Sequence, residues 1–155
     1  MDKHIRWMIR RDMARVLEIE DHSFEFPWTE DEFIRLLRQR NCIGMVIDDL
    51  DNDNVSGYMI YELHKHRLHL LNMAVDKPRC GLGTMMVDRL IGKLSVERRQ
   101  RITLEIGERN LDGQLFFREM GFLAKDIVCE FFDNDDDAYV MEYLINSRET
   151  SEAPY

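Results

Sequence analysis

The sequence predicts a mixed α/β fold, with a central sheet of about six to seven strands and helices on both faces. Hydrophobic alternation and helical spacing along the 155-residue chain give elements in the order β-α-α-β-β-β-α-β-α-β-β. Residues 70–87 contain a run of strand formers, a short loop with one proline and two glycines, and then a helical pattern. The length suits one domain, which we expect over residues 1–145, followed by a polar tail at 146–155 that frays.

The first part of the chain predicts one strand and two helices. Residues 5–10 are typical of a strand, and the apolar spacing after Asp12 is helical, with Asp12 as the expected cap. Thr29 and Glu32 form the pattern of a capping box, which predicts that a second helix begins there. Three aromatic residues lie in the loop between the helices: Phe24, Phe26 and Trp28. We expect such aromatics either to fold back onto the core or to form one wall of a binding cleft.

The next part predicts a hairpin and then an exposed turn. Residues 42–47 and 55–62 are typical of strands, and the acidic segment 48–54 joins them. This segment lacks the glycine and the final glutamate of an EF-hand loop, so we interpret it as a solvated turn. Three histidines then alternate with other residues: His64, His66 and His69. Because lysine and arginine lie between them and no nearby carboxylate or cysteine completes a site, we expect them to be exposed and not to bind a metal.

The central part predicts a strand, a glycine loop, a helix and another strand. The first strand covers residues 68–75, the helix roughly 84–97, and the second strand 101–107. Glu105 lies between two apolar residues of that second strand. Since side chains alternate along a strand, burial of the apolar neighbours would turn Glu105 toward the opposite face or a cleft.

The last part predicts a short helix and two further strands. The helix covers residues 112–120, and Gly121 is placed to end it as a C-cap. Strands follow at 122–130 and 138–145, on either side of the acidic loop 131–137. Together these elements complete the predicted sheet.

Composition excludes several classes of protein. The net charge of −9 argues against a general nucleic-acid-binding protein and is compatible with a cationic partner or simply with solubility. No stretch approaches the ~20 apolar residues of a membrane span, and the first residues lack the apolar core of a signal peptide. The three scattered cysteines, Cys42, Cys80 and Cys129, favour a reduced, cytoplasmic protein without a metal site.

The glycine loop offers a place for a phosphate group. Gly81 and Gly83 stand where the strand ends and the helix begins, so the backbone can approach a ligand closely. The first amides of a helix are unpaired donors next to a partial positive charge, and they bind phosphate or pyrophosphate well. Taken alone, a Gly-x-Gly sequence is also compatible with an ordinary strand-to-helix turn.

The order of elements and several motifs resemble the GNAT family of acyl-CoA-dependent N-acetyltransferases, in particular the RimI-like branch that acetylates protein N-termini. The motifs occur in the family's order: Phe26-Pro27-Trp28-Thr29, Leu71-Asn72-Met73-Ala74-Val75-Asp76, Gly81-Leu82-Gly83, Leu104-Glu105-Ile106 with Asn110 and Phe117-Arg118-Glu119-Met120-Gly121-Phe122, and Asp137-Ala138-Tyr139-Val140-Met141. The resemblance covers residues 5–145 and implies the GNAT fold.

The resemblance also implies roles for individual residues. Glu105 corresponds to the general base; an exposed strand carboxylate is the alternative. Because Phe117 replaces the tyrosine that often protonates the departing thiolate, Tyr139 is a candidate acid, with a packed strand tyrosine as the alternative. Acetyl-CoA would be bound by Met73, Ala74, Val75, Arg79, Cys80, Gly81, Leu82, Gly83, Thr84, Asn110 and Phe117; Asn110 could also be a helix cap. The acceptor would be bound by Phe26, Trp28, Phe131 and Phe132.

The resemblance implies that the chain transfers an acetyl group from acetyl-CoA to the α-amino group of a protein or peptide, with a ribosomal protein as one option, by direct attack in a ternary complex. An acetyltransferase of a small-molecule amine is one alternative. A CoA-binding module with little or no catalysis is another, because the loop from Val75 to Gly81 is about two residues shorter than usual and three phenylalanines, Phe117, Phe131 and Phe132, stand where the family has tyrosines. Pro78 in that loop also has no amide donor. No metal, nucleic acid or membrane is expected as a partner, and both a monomer and a homodimer remain open.

Overall fold

The computed structural model describes residues 3–132 and 135–145. In these ranges it contains a seven-stranded sheet and four α-helices, in the order predicted from the sequence. The strands are β1 Lys3–Trp7, β2 Cys42–Asp49, β3 Asn54–Leu63, β4 Arg67–Val75, β5 Arg101–Gly107, β6 Leu123–Val128 and β7 Ala138–Leu144. The helices are α1 Met13–Ser23, α2 Glu30–Leu37, α3 Leu82–Ile91 and α4 Leu111–Glu119. The predicted α/β class is therefore confirmed.

The described residues form two compact units. The N-terminal unit contains the residues up to Leu63 together with Leu70–Asp88. The C-terminal unit contains His64–His69 together with the residues from Arg89 onward. Strand β4 contributes to both units. No helix in the described part of the chain is long and apolar enough to cross a membrane.

In the N-terminal unit the strand order is β1-β2-β3-β4. Strands β1, β2 and β3 are antiparallel neighbours, with a register shift between Ile47 and Asp48 of β2. The apolar faces of α1 and α2 pack on this sheet, and fully buried Phe33 makes edge-to-face ring contacts with Trp28 and Tyr58. These contacts fix the loop between the two helices against the core.

In the C-terminal unit the order is β4-β5-β7-β6. Strand β7 is antiparallel to both β5 and β6. The apolar side chains of β5 are buried, and the rings of Phe117, Phe122 and Tyr143 contact one another in a row. Gly121 has φ +98 where α4 ends, as the C-cap prediction required.

Several predicted boundaries are wrong. The first strand ends at Trp7 rather than at residue 10, because the chain turns into a 3-10 segment at Arg10–Asp12. The predicted helix 84–97 ends at Ile91, since Gly92 disfavours helix and tight turns follow it. The predicted strand 122–130 ends at Val128, before Glu130 with its positive φ. Residues 133–134 of the predicted loop and the predicted tail 146–155 lie outside the described residues.

The two predicted helix caps have different outcomes. Thr29 Oγ1 accepts a hydrogen bond from the Glu32 amide, and Glu32 Oε1 accepts one from the Thr29 amide, both at 3.2 Å, so the capping box is confirmed. Asp12 occupies the N-cap position of α1, but its side chain makes no capping bond to that helix. Its carboxylate instead accepts from the Ile9 amide and from Arg6. The prediction for the Asp12 side chain is therefore wrong.

Candidate active site

The glycine loop of the N-terminal unit has a backbone suited to an anion. Gly81 has φ +82, and a Cβ added there would meet nothing within 4 Å. Arg79 also has a positive φ of 66. The Met85 amide donates to the Gly81 carbonyl at 3.0 Å, so the amides of Leu82–Thr84 form the first turn of α3 without intrahelical acceptors. A conformation that favours glycine thus precedes a helix N-terminus.

Strand β4 leads into this loop and is fixed at its end. Arg15 donates through Nη2 to Asp76 Oδ2 at 2.8 Å and through Nε to the Val55 carbonyl at 2.9 Å. The Asp76 amide donates to the Ser56 carbonyl at 2.9 Å. Of the predicted acetyl-CoA contacts, the strand holds Met73, Ala74 and Val75, and the exposed loop holds Arg79, Cys80 and Gly81. The start of α3 holds Leu82, Gly83 and Thr84.

The loop between α1 and α2 carries the predicted acceptor-binding aromatics of this unit. Phe26 is 52% exposed, whereas Trp28 packs against the core. The Trp28 amide donates to Oε2 of Glu20 at 2.9 Å. Trp28 therefore folds back onto the core, as one of the two expected outcomes requires, whereas the cleft-wall role of Phe26 stays a prediction.

Glu20 is a buried acid that was not predicted from the sequence. It is 1% exposed, and its Oε1 accepts hydrogen bonds from the Tyr58 hydroxyl and from Asn72 Nδ2, the latter at 2.7 Å. Burial raises the pKa of Tyr58 well above its usual range, and the charge of Glu20 adds to that effect. The sequence spacing does indicate its burial, because Glu20 follows Met13 and Val16 at helical spacing on the buried face of α1.

The C-terminal unit places the predicted base Glu105 on β5. Its side chain is 24% exposed, while Leu104 and Ile106 on either side are buried. The carboxylate Oε1 lies 2.9 Å from Nε2 of His69 on β4. The other ring nitrogen, Nδ1, lies 2.6 Å from Thr103 Oγ1, and Arg67 Nη1 donates to that same oxygen at 2.9 Å. Because side chains alternate along a strand, Thr103 and Glu105 share one face of β5, opposite to the face that carries the apolar side chains.

His69 was predicted to be exposed and without a nearby carboxylate, and both predictions are wrong. It is 7% exposed and lies inside β4. The partner carboxylate is separated from it by 36 positions in the chain, so local spacing could not reveal the pair. His66 is exposed as predicted, whereas His64 is half-buried, so the prediction of exposure is wrong for His64 as well.

Two other predicted site residues belong to α4. Asn110 is its N-cap, with Oδ1 accepting from the Gly113 amide at 3.0 Å, so the capping alternative is observed. Phe117 is buried between the rings of Phe116 and Phe122. It therefore has a packing role in the C-terminal unit.

The remaining candidates lie on β7 and in the loop before it. Phe131 and Phe132 contact each other edge to face with ring centroids 4.9 Å apart, and Phe132 lies close to Gly107 at the end of β5. Tyr139 is opposite Ile106 in the antiparallel register, whereas Glu105 is opposite Val140. Since opposite residues share a sheet face, Tyr139 and Glu105 lie on different faces and are not brought together.

Comparisons with known proteins identify the family of the chain. Residues 13–122 match the acetyltransferase (GNAT) family. The chain is 25% identical over 140 residues to the ribosomal protein bS18-alanine N-acetyltransferase of Salmonella typhimurium, covering 87% of this chain and 93% of that protein.

Solved structures share the fold. The ribosomal-protein-S18-alanine N-acetyltransferase of Escherichia coli has a TM-score of 0.81 at 22% identity, over 94% of this chain and 95% of that one. Arabidopsis thaliana NAA60, solved with acetyl-CoA, has a TM-score of 0.79 at 13% identity, over 94% and 99%. The chain therefore belongs to the acetyltransferase (GNAT) family, and the predicted class of acetyl-CoA-dependent N-acetyltransferase is confirmed at the level of that family.

Proposed function

We propose that this chain acetylates the N-terminal α-amino group of a protein or peptide, with acetyl-CoA as donor and Glu105 as general base. The observation that carries the proposal is the Glu105 carboxylate, half-buried on β5 on the side away from the apolar face. The name of the Salmonella typhimurium relative supports an α-amino acceptor, because that protein is an alanine N-acetyltransferase of a ribosomal protein. A ribosomal protein N-terminus is accordingly the first acceptor to examine.

The glycine loop fits the pyrophosphate of acetyl-CoA in its local chemistry. A positive φ at Gly81, open space beside it and the free amides at the start of α3 are what a phosphate group requires. The exposed cation of Arg79 adds a complementary charge. We assign the pantetheine arm to the backbone of Met73–Val75 and a further CoA contact to Asn110, whose Oδ1 already caps α4.

The reaction demands little proton chemistry from the protein. Acetyl-CoA supplies a reactive thioester, and an α-amino group has a pKa near 8, so one base acting through water suffices to generate the neutral amine. Glu105 would accept that proton. Because Phe117 has no hydroxyl and Tyr139 lies on the other face of the sheet, we assign protonation of the thiolate to water.

The acceptor would be bound by aromatic side chains in each unit. In the N-terminal unit, Phe26 offers an exposed ring, and the Trp28 backbone beside it is held by Glu20. In the C-terminal unit, Phe131 and Phe132 form an apolar pair without hydroxyl groups. We therefore expect apolar contacts with the first residues of the acceptor rather than hydrogen bonds to phenols.

Binding of acetyl-CoA is the first test of this proposal. At about 100 times its dissociation constant, acetyl-CoA should raise the melting temperature by roughly 5–10 °C, which corresponds to ~2.7 kcal/mol of binding linkage in a chain of this size. Gly81→Ala should abolish most of that shift, because the positive φ at the anion site becomes strained. The measurement is a thermal melt with and without acetyl-CoA.

Gly121→Ala is the matched control, because Gly121 also has a positive φ but lies at the end of α4. This variant should melt at a lower temperature yet keep the acetyl-CoA shift. A parent chain that shows no shift at all would overturn the proposal. A parent that shows the shift but transfers no acetyl group to any of a panel of N-terminal peptides or small amines would instead be a CoA-binding module.

A further inference from the structure

The imidazole of His69 is held between a carboxylate and a hydroxyl. Nε2 lies 2.9 Å from Glu105 Oε1, and Nδ1 lies 2.6 Å from Thr103 Oγ1. The ring belongs to a residue inside β4 that is 7% exposed, so it has little freedom to rotate away. Both contacts lie within the C-terminal unit, and both ring nitrogens are engaged.

The donors and acceptors around the ring determine which nitrogen carries the proton. A guanidinium only donates, so Thr103 Oγ1 accepts from Arg67 Nη1 and can donate its own proton to Nδ1 of His69. Glu105 in its ionised form only accepts, so Nε2 must donate to Oε1. These directions satisfy each group when the ring carries its proton on Nε2.

We propose that His69 is a positioning residue for Glu105: its Nε2–H holds carboxylate oxygen Oε1 and leaves Oε2 to take a proton from the acceptor amine through water. The proposal rests on the base role of Glu105 in the proposed function. Thr103 and Arg67 add two further hydrogen-bonded groups, which fix the tautomer of the imidazole, as orienting partners do for catalytic histidines and carboxylates elsewhere. The hydrogen-bond chain runs from Arg67 through Thr103 and His69 to Glu105.

The charged groups near these hydrogen-bonded side chains lie on β4, β5 and β7. Arg67 is the cation on the β4 side, and its Nη1 donates to Thr103 Oγ1, which contacts the ring. Glu142 on β7 lies opposite Thr103 and is paired with Arg101, with Nη1 and Oε2 3.6 Å apart. The ionic partner of Glu142 is thus Arg101, and the carboxylate in contact with the imidazole is that of Glu105.

Steady-state kinetics of peptide acetylation test this role. His69→Ala should lower kcat by about 10- to 100-fold, because a base that is no longer oriented loses much of its contribution. The KM values for acetyl-CoA and peptide should change by less than about twofold, since no contact with either substrate is removed. His69→Gln should stay within about threefold of the parent, because its amide can still donate to Glu105.

Two further variants separate positioning from a purely structural effect. His69→Asn places its amide near the Nδ1 position, where it contacts Thr103 but cannot reach Glu105, so it should behave like His69→Ala. His66→Ala, at an exposed histidine, should match the parent. If His69→Ala does not fold, the comparison of His69→Asn with His69→Gln takes its place. Equal kcat values for these two variants would overturn the proposal.

A double-mutant cycle gives the sharpest kinetic test. In the Glu105→Gln background, His69→Ala should cause no further loss of kcat, because His69 acts only through that carboxylate. The same loss in both backgrounds, or a loss confined to KM, would overturn the positioning role. Either result would leave the proposed acetyltransferase function intact, so the two failures are distinguishable.

The tautomer can be read without any enzymatic activity. In ¹⁵N spectra of the histidine-labelled parent, the His69 signals should show a proton on Nε2 and a bare Nδ1. His69→Gln assigns those signals by their loss. A proton on Nδ1 with a bare Nε2 would overturn the proposal even in a preparation that transfers no acetyl groups.

Discussion

Glu20 connects the core of the N-terminal unit to the backbone of the loop between α1 and α2. Its carboxylate is 1% exposed, yet three donors satisfy it: the Tyr58 hydroxyl, Asn72 Nδ2 and the Trp28 amide. A buried charge is tolerated only when it is hydrogen-bonded in this way. The bond to Trp28 fixes the backbone of the loop that carries exposed Phe26, so a core interaction and a predicted acceptor contact depend on the same carboxylate.

Glu20→Gln should lower the free energy of unfolding by about 1–3 kcal/mol, because one carboxylate oxygen becomes an amide that faces another donor and leaves it unsatisfied. Urea unfolding measures this difference. Glu18→Gln is the matched control on the same helix, with a side chain that is 62% exposed, and should change stability by less than ~0.5 kcal/mol. Equal effects of the two substitutions would contradict the account of the Glu20 cluster.

Arg6 and Asp12 join two elements of the N-terminal unit. Arg6 on β1 donates to Asp12 through Nη1 at 2.8 Å and Nη2 at 2.9 Å, and through Nε to Asp48 of β2 at 2.9 Å. The Ile9 amide donates to Asp12 as well. Burial alone would raise the pKa of Asp12, but the hydrogen bonds from Arg6 and Ile9 outweigh it and hold that pKa below its usual range. The strand and the start of α1 are therefore tied by a charged, bidentate contact.

This contact predicts a dependence of stability on pH. A pKa lowered by folding stabilises the protein above the unfolded value of about 3.9, and this stabilisation is lost as the pH falls through the lower folded value. Asp12→Asn should therefore reduce the urea midpoint at neutral pH, with a difference from the parent that shrinks below about pH 4.

Asp88→Asn, an exposed acid on α3, is the control for the Asp12 prediction and should leave the urea midpoint close to that of the parent at both pH values. A difference between Asp12→Asn and the parent that stays constant from neutral to acidic pH would contradict the role assigned to Asp12.

At the scale of elements, the sequence was sufficient where the local signal was strong. The capping box of Thr29 and Glu32, strand 101–107 and the C-cap at Gly121 were predicted correctly. The ends of β1 and α3 were not, because they are set by a 3-10 segment and by turn bonds that apolar spacing does not report. Element order was therefore more predictable than element ends.

At the scale of the whole molecule, the family was recognisable from motifs in order, but the groups around Glu105 and Trp28 were not. His69 lies 36 positions from Glu105, and Glu20 lies 38 from Tyr58 and 52 from Asn72. Strand pairing and helix packing create these contacts. From the sequence alone, charged and polar side chains are expected to be exposed, because most of them are. The residues missed from sequence are thus the polar ones that only tertiary structure brings together.

The central claim is that Glu105 serves as the base for acetylation of an α-amino group. The most direct measurement compares the initial rates of the parent and Glu105→Gln with acetyl-CoA and peptides that have a free N-terminus, alanine-first peptides among them. Peptides with a blocked N-terminus and an internal lysine serve as the control acceptor, and mass spectrometry locates the acetyl group.

We expect the parent to acetylate only the free α-amino group, and Glu105→Gln to be slower by about 100-fold or more while keeping the thermal shift with acetyl-CoA. Equal rates for the two proteins, or acetylation of the blocked peptides at the same rate as the free ones, would contradict the claim.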